Sequence, residues 1–243
     1  MKAKWTACCA LVALSFAGAI AISAAQKVDV TGSVQVATRG RGKLDKRLSG
    51  VVVWLTPASA ESAASFVPAA PGHFRLVQKD KSFIPHQLVI PLGSTVDFPN
   101  EDPFFHNVFS LFNGKRFDLG LYEAGASRAV RFDHEGVSYI FCNIHPQMSA
   151  VVIALSTPYV AISSAQGNIV IAGVPPGGYR MHVWAEGADS GQLDRMTREL
   201  RVGPGSAAFG TLHILRDRDD LTQHKNKFGE DYRQSESPLY PYP

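Results

Sequence analysis

Cysteine is scarce in this 243-residue chain. There are three, and two of them, Cys8 and Cys9, fall inside an N-terminal apolar run. Only Cys142 remains in the body of the chain, which excludes a disulfide framework and any metal centre bridged by two thiolates. Helical periodicity is nearly absent; Ala58 to Ala64 is the one stretch that could form a turn of helix, and a loop suits it equally. None of the eight histidines stands in an H-x-H pair, which argues against centres built from clustered imidazoles. Nor is there a Gly-rich phosphate loop, a nucleophile elbow or a pair of carboxylates at useful spacing, and Glu101-Asp102 reads as a solvated turn. The chain is therefore expected not to be an enzyme.

What is present suits an all-β protein. With 21 Gly and 15 Pro the chain has the punctuation of many short strands, and its length allows one large or two small domains. Lys2 and Lys4 precede an apolar run from Trp5 to Ala21, and Ser23-Ala24-Ala25 supplies small residues for a signal peptidase. Residues 1–25 read as a signal peptide and place the protein in the periplasm or outside the cell; the alternative is an uncleaved anchor, since the run approaches the length that spans a bilayer. Cleavage takes the formal charge from +3 to +1, too small an excess to identify a partner, and no nucleic-acid partner is expected.

The densest chemistry lies in Phe141-Cys142-Asn143-Ile144-His145-Pro146-Gln147-Met148. A thiolate, an imidazole and a thioether at C-x-x-H-x-x-M spacing are copper ligands: soft sulfur holds Cu(I), imidazole suits Cu(II), and a trigonal Cys and two His set with a weak axial thioether serves electron transfer. The second imidazole must come from elsewhere. His106, in Phe104-Phe105-His106-Asn107-Val108-Phe109, follows a turn-rich segment and opens an apolar strand. Each residue alone is ordinary core or surface, but Val137 to Phe141 runs into the loop as a strand and Ala150 to Leu155 runs out of it. Zinc competes for the same ligands. A lone cysteine in an oxidising compartment also gains a purpose if it binds metal.

His, then Cys, His and Met on one late loop resembles the cupredoxins, the blue copper proteins. His106-Asn107-Val108 is similar to the first-ligand motif of plastocyanin, and the short loop with Pro146 after the His looks like that of amicyanin. Upstream, Lys81 to Asn100 resembles the family's F-x-P strand, Gly turn and strand ending in an aromatic and Asn. The resemblance covers about residues 76–156. It implies a Greek-key β-sandwich, one type 1 copper on His106, Cys142, His145 and Met148, and Asn107 tying the two ligand segments together with its backbone N–H on the Cys142 sulfur. It also implies His145 exposing a ring edge among Pro146, Phe104 and Phe105, where a redox partner protein docks. Four protein ligands would leave the copper no open position.

A second sandwich is expected beside it. Gly173-Val174-Pro175-Pro176-Gly177-Gly178-Tyr179, followed by a strand to Trp184, resembles the transthyretin-like regulatory domain of carboxypeptidases, assigned to residues 157–216. Residues 27–60 would supply that sandwich's first strands, or else extra strands of the cupredoxin sheet. The chain order also resembles methylamine-utilisation-like plastocyanins. Between Thr38 and Arg47 five basic residues face one Asp, which suits a solvated loop. The polar tail, residues 217–243, has little with which to form a core and either trails free or lies as an arm over a surface. His73, His134, His182, His213 and His224 carry no expected role, and His86 is kept as a distant candidate ligand. The expected function is single-electron transfer by an exported copper protein with no membrane span after cleavage; copper delivery and a copper-stabilised cell-envelope module are the alternatives.

Overall fold

Strand alternation is clearest in β1 (Val28–Thr38), where Val28, Val30, Val34 and Val36 are buried while intervening residues face outward, the period of two that a pleated strand imposes. The structure is a computed structural model that describes residues 26–38, 48–111, 114–205, 207–217 and 224–232. The expected signal segment, nearly all of the basic loop and most of the polar tail lie outside the described residues. Among the described residues no helix is long and apolar enough to cross a membrane. The fold is all-β, as expected.

Two sheets enclose a first core. In one, β1 pairs antiparallel with β14 (Asn168–Val174) and parallel with β17 (Ala207–Arg216). The other runs β13 (Val160–Ile162), β2 (Val52–Pro57), β15 (Gly177–Trp184), β16 (Arg198–Val202). Val30, Val36, Leu55, Ile171, Tyr179, Met181 and Ile214 fill the space between them. α1 (Ala60–Ala64) is the turn of helix allowed by the Ala-rich stretch, capped by Ser59. A second short helix, α2 (Ser190–Met196) with Asp189 as its cap, was not expected from the sequence.

Residues between these strands build a second, cupredoxin-like unit. One sheet is β10 (Ser127–Arg131), β7 (Thr95–Pro99), β3 (His73–Arg75). The facing sheet is β6 (Gln87–Pro91), β12 (Ser149–Leu155), β11 (Gly136–Phe141), β8 (His106–Ser110), β9 (Phe117–Tyr122). A hairpin of β4 (Val77–Lys79) and β5 (Ser82–Ile84) turns through Asp80 and Lys81, both left-handed at φ 52° and 53°. Phe98, Val108, Tyr122, Phe132, Ile140 and Val152 form the core.

The strand β12 joins the two cores. All seven of its residues are buried; Val151, Ile153 and Leu155 face the first core, and Ala150, Val152 and Ala154 the second. Burial on both faces explains why this strand reads as a continuous apolar run instead of alternating. The units are further linked by His86, whose Nδ1 and Nε2 face the Ser149 carbonyl oxygen at 3.0 Å and Glu186 Oε2 at 2.8 Å.

Candidate metal centre

The pairing of β11 between β8 and β12 brings the expected ligand segments to one end of the second unit. His106 is the first residue of β8; Cys142 directly follows β11; His145 sits on the loop, which closes on itself as the Met148 N–H donates to the His145 carbonyl and the Cys142 N–H to the Met148 carbonyl. His106, Cys142 and Met148 are wholly buried, and His145 is partly exposed.

Three donor atoms converge. His106 Nδ1 lies 3.8 Å from Cys142 Sγ, His145 Nδ1 3.6 Å from the same sulfur, and the two Nδ1 atoms are 3.1 Å apart. A circle through these atoms has a radius of about 2.0 Å, the metal–nitrogen distance itself and a little short of a metal–thiolate bond. Two imidazole nitrogens and one sulfur arranged in this way fit copper or zinc. Met148 shares the core cluster of Cys142. His86 is elsewhere, engaged with Ser149 and Glu186, and does not join the cluster.

The electrostatics prepare neutral imidazoles. Burial pushes His145 down to about 4, helped by the neighbouring His106 and Lys81, and burial also lowers His106 despite the carboxylate of Asp102. Burial raises the Cys142 thiol, while backbone N–H groups of Asn107, Ile144 and His145 pull the other way by favouring the thiolate. The sequence suggested only the Asn107 donor.

Asp102 is the functional residue that sequence reasoning missed. Read as part of a solvated turn, it is nearly buried. Its carboxylate accepts from the Asp80 N–H at 2.7 Å and the Lys81 N–H at 3.0 Å, and it faces His106 Nε2 at 2.7 Å. A carboxylate there keeps the proton on Nε2 and leaves the Nδ1 lone pair toward the cluster. Burial opposes its ionisation, yet these donors together hold Asp102 below the usual carboxylate range. The only signal in the sequence is its position four residues before His106.

The Asn107 backbone N–H reaches the Cys142 sulfur, as the resemblance implies. The Asn107 side chain does not bridge to the ligand loop; its Nδ2 donates to Asp118 Oδ1 on β9 at 2.8 Å. The ring of Phe104 packs edge-on against both His106 and His145. Phe105 and Ile144 are each 37% exposed beside them, and Pro146 is exposed too.

No family model matches the sequence, and no curated protein matches it. Solved structures do. A novel purple cupredoxin from Nitrosopumilus maritimus is 27% identical over 33% of this chain and 98% of its own, with a TM-score of 0.31. Amicyanin from Paracoccus versutus is 25% identical over 42% of this chain and 97% of its own, with a TM-score of 0.32. The Cu-containing nitrite reductase from Thermus scotoductus is 23% identical over 41% of this chain, with a TM-score of 0.33, and the match spans only 28% of that protein. That protein is an enzyme, so the expectation that this chain is not one is withdrawn: a cupredoxin-like unit can form part of a catalyst, and its presence does not exclude catalysis.

Proposed function

We propose that this chain is an exported blue copper protein that binds one copper ion through His106, Cys142 and His145, with Met148 as a weak axial ligand, and passes single electrons to and from a redox partner protein. The observation that carries this reading is the convergence of one buried sulfur and two neutral imidazole nitrogens on a circle of about 2.0 Å radius. Copper bound there supplies a reversible one-electron couple. The chain's part is to hold the donors in a buried frame, so that little rearrangement accompanies the change of charge.

His145 alone among these donors reaches the surface, and Pro146, Phe104, Phe105 and Ile144 surround it with apolar area. Exposed apolar patches mark interaction sites, which supports this end of the molecule as the docking face. Residues 27–60 and 157–216 are proposed to form one transthyretin-like sandwich into which the cupredoxin unit, residues 76–156, is inserted; the shared core of β1, β2, β14, β15 and β17 supports this. Export to the periplasm or beyond rests on residues 1–25.

The test is optical. Loaded with Cu(II), the protein should show an intense visible sulfur-to-copper charge-transfer band that Cys142→Ala abolishes. A protein that stays colourless with copper while binding zinc firmly would end the electron-transfer reading.

A further inference from the structure

Residues 224–232 lie far along the chain from the ligand loop, yet their contacts fall on the residues that flank the ligands. Tyr232 donates its hydroxyl hydrogen to the Cys142 carbonyl at 2.7 Å. The Lys227 N–H donates to Asn143 Oδ1 at 2.9 Å, gripping the residue after Cys142. The His224 ring stacks on Phe141, the residue before Cys142, with centroids 4.0 Å apart and planes 26° apart, and Tyr232 packs edge-on against His224.

The same segment reaches the other ligand strand. Lys227 Nζ pairs with Asp118 Oδ2 at 2.7 Å, and Asp118 Oδ1 accepts from Asn107, the neighbour of His106. Burial disfavours the Asp118 carboxylate, but Lys227, Asn107 and the Gly120 N–H together hold its pKa below the usual range. One short arm thus touches the entry of the Cys loop, its second residue and, through one carboxylate, the strand that carries His106. Beside the Asn107 N–H on the Cys142 sulfur, Asn107, Asp118 and Lys227 in series make a second tie between the ligand segments.

We propose that residues 224–232 are a clamp that positions the two ligand segments against each other, with Tyr232 and Lys227 as its positioning residues, and that it slows loss of metal from the centre. The second half of this statement rests on the copper reading; the first does not. Groups that orient metal ligands from outside the coordination sphere typically change metal affinity by about 10- to 100-fold when removed, and the clamp offers two such groups, one on each ligand segment.

The experiment uses the full chain with Tyr232→Phe, Lys227→Met and the double substitution, with Asp231→Asn as control because its ion pair is the exposed one with Lys225. In metal-free protein, amide hydrogen exchange of Asn143, Ile144, His145 and Gln147 should quicken by roughly tenfold in the double variant, with exchange in β2 and β15 unchanged, which shows that the fold is intact. In copper-loaded protein, transfer of copper to a chelator should quicken by about 10- to 100-fold, and the reduction potential should move. The control should match wild type. Unchanged loop exchange in the double variant would overturn the clamp. If the wild type takes up no copper but the loop exchange responds, the clamp stands and the copper reading falls. If the wild type binds copper and both transfer rate and potential ignore the substitutions, the clamp's role in metal retention is overturned.

Discussion

Replacing Asp102 by Asn changes one atom, and the structure says what that atom does. Oδ1 accepts from the Asp80 N–H; Oδ2 accepts from the Lys81 N–H and faces His106 Nε2. An amide has one acceptor oxygen. In its better orientation the oxygen keeps Lys81 and His106, and the NH2 group is turned toward the Asp80 N–H, donor against donor. The two retained bonds lose their charge, and bonds to charged groups contribute about 1.5–3 kcal/mol against roughly 1 for neutral ones. The orphaned N–H adds about 1–3 kcal/mol. It belongs to a left-handed residue, and that conformation costs about 1–2 kcal/mol per residue outside glycine, so the turn relaxes instead of holding its place. The expected loss of stability is about 2–4 kcal/mol, read as a lower urea midpoint at unchanged m value. Metal affinity, by chelator competition, should fall by about 10- to 100-fold, since the His106 ring loses its orienting partner. Glu101→Gln is the control: that neighbour is exposed and pairs only at the surface with Arg75 and Lys79, a setting worth at most about 1 kcal/mol. A loss below about 0.5 kcal/mol for Asp102→Asn, with affinity unchanged, would refute the assignment of the carboxylate as the orienting group.

Three further outcomes are expected. Ile153→Ala, at a wholly buried site on β12, should cost about 2–5 kcal/mol; a loss under 1 kcal/mol would show that the strand repacks freely. In metal-free protein, His145 titrates near 4 when folded against 6.5 when free, so below pH 6.5 the unfolded chain binds a proton that the folded chain refuses, and stability falls as pH drops from about 6.5 to about 4. The melting temperature should follow that window and should flatten in His145→Gln; equal slopes in both proteins would contradict it. Phe105→Lys should slow electron exchange with a small redox partner while leaving the copper spectrum in place, and unaltered exchange would move the docking face elsewhere.

The candidate ligand loop stands out in the sequence because its chemistry is local: three donor types within seven residues, bounded by apolar strands, leave few other readings. His106, far upstream, stands out as a His that opens an apolar strand, and the structure brings its ring beside Cys142 and His145. Asp102 does not stand out, since an acid between Glu101 and Pro103 looks solvated. Its burial depends on the hairpin of β4 and β5, whose left-handed turn aims two N–H groups at it, and nothing in Asp80-Lys81 announces that conformation as a glycine would. The arm was legible only as one of two readings of the tail, for another reason. Tyr232 and Lys227 bond a carbonyl and an amide oxygen, acceptors that many residues offer, so composition could not choose between a free tail and an arm over a surface. The helix α2 escaped because seven residues are too few to display a period.

The run Ala150 to Leu155 held more information than its reading as a strand used. A strand with one face in water alternates, and this one does not, which requires apolar partners on both sides. The structure supplies them as two cores, with the strand between. The consequence reaches the candidate metal centre, because the ligand loop hangs between β11 and β12 and can be no more rigid than its anchors. The β11 anchor is tied by backbone bonds to β8 and β12, and the β12 anchor is packed on both faces, so displacing it would open two cores at once. Tight packing of this kind resists continuous deformation. The first core thereby stiffens the loop from a distance: its Val151, Ile153 and Leu155 hold the strand whose other end carries Met148 into place beside Cys142.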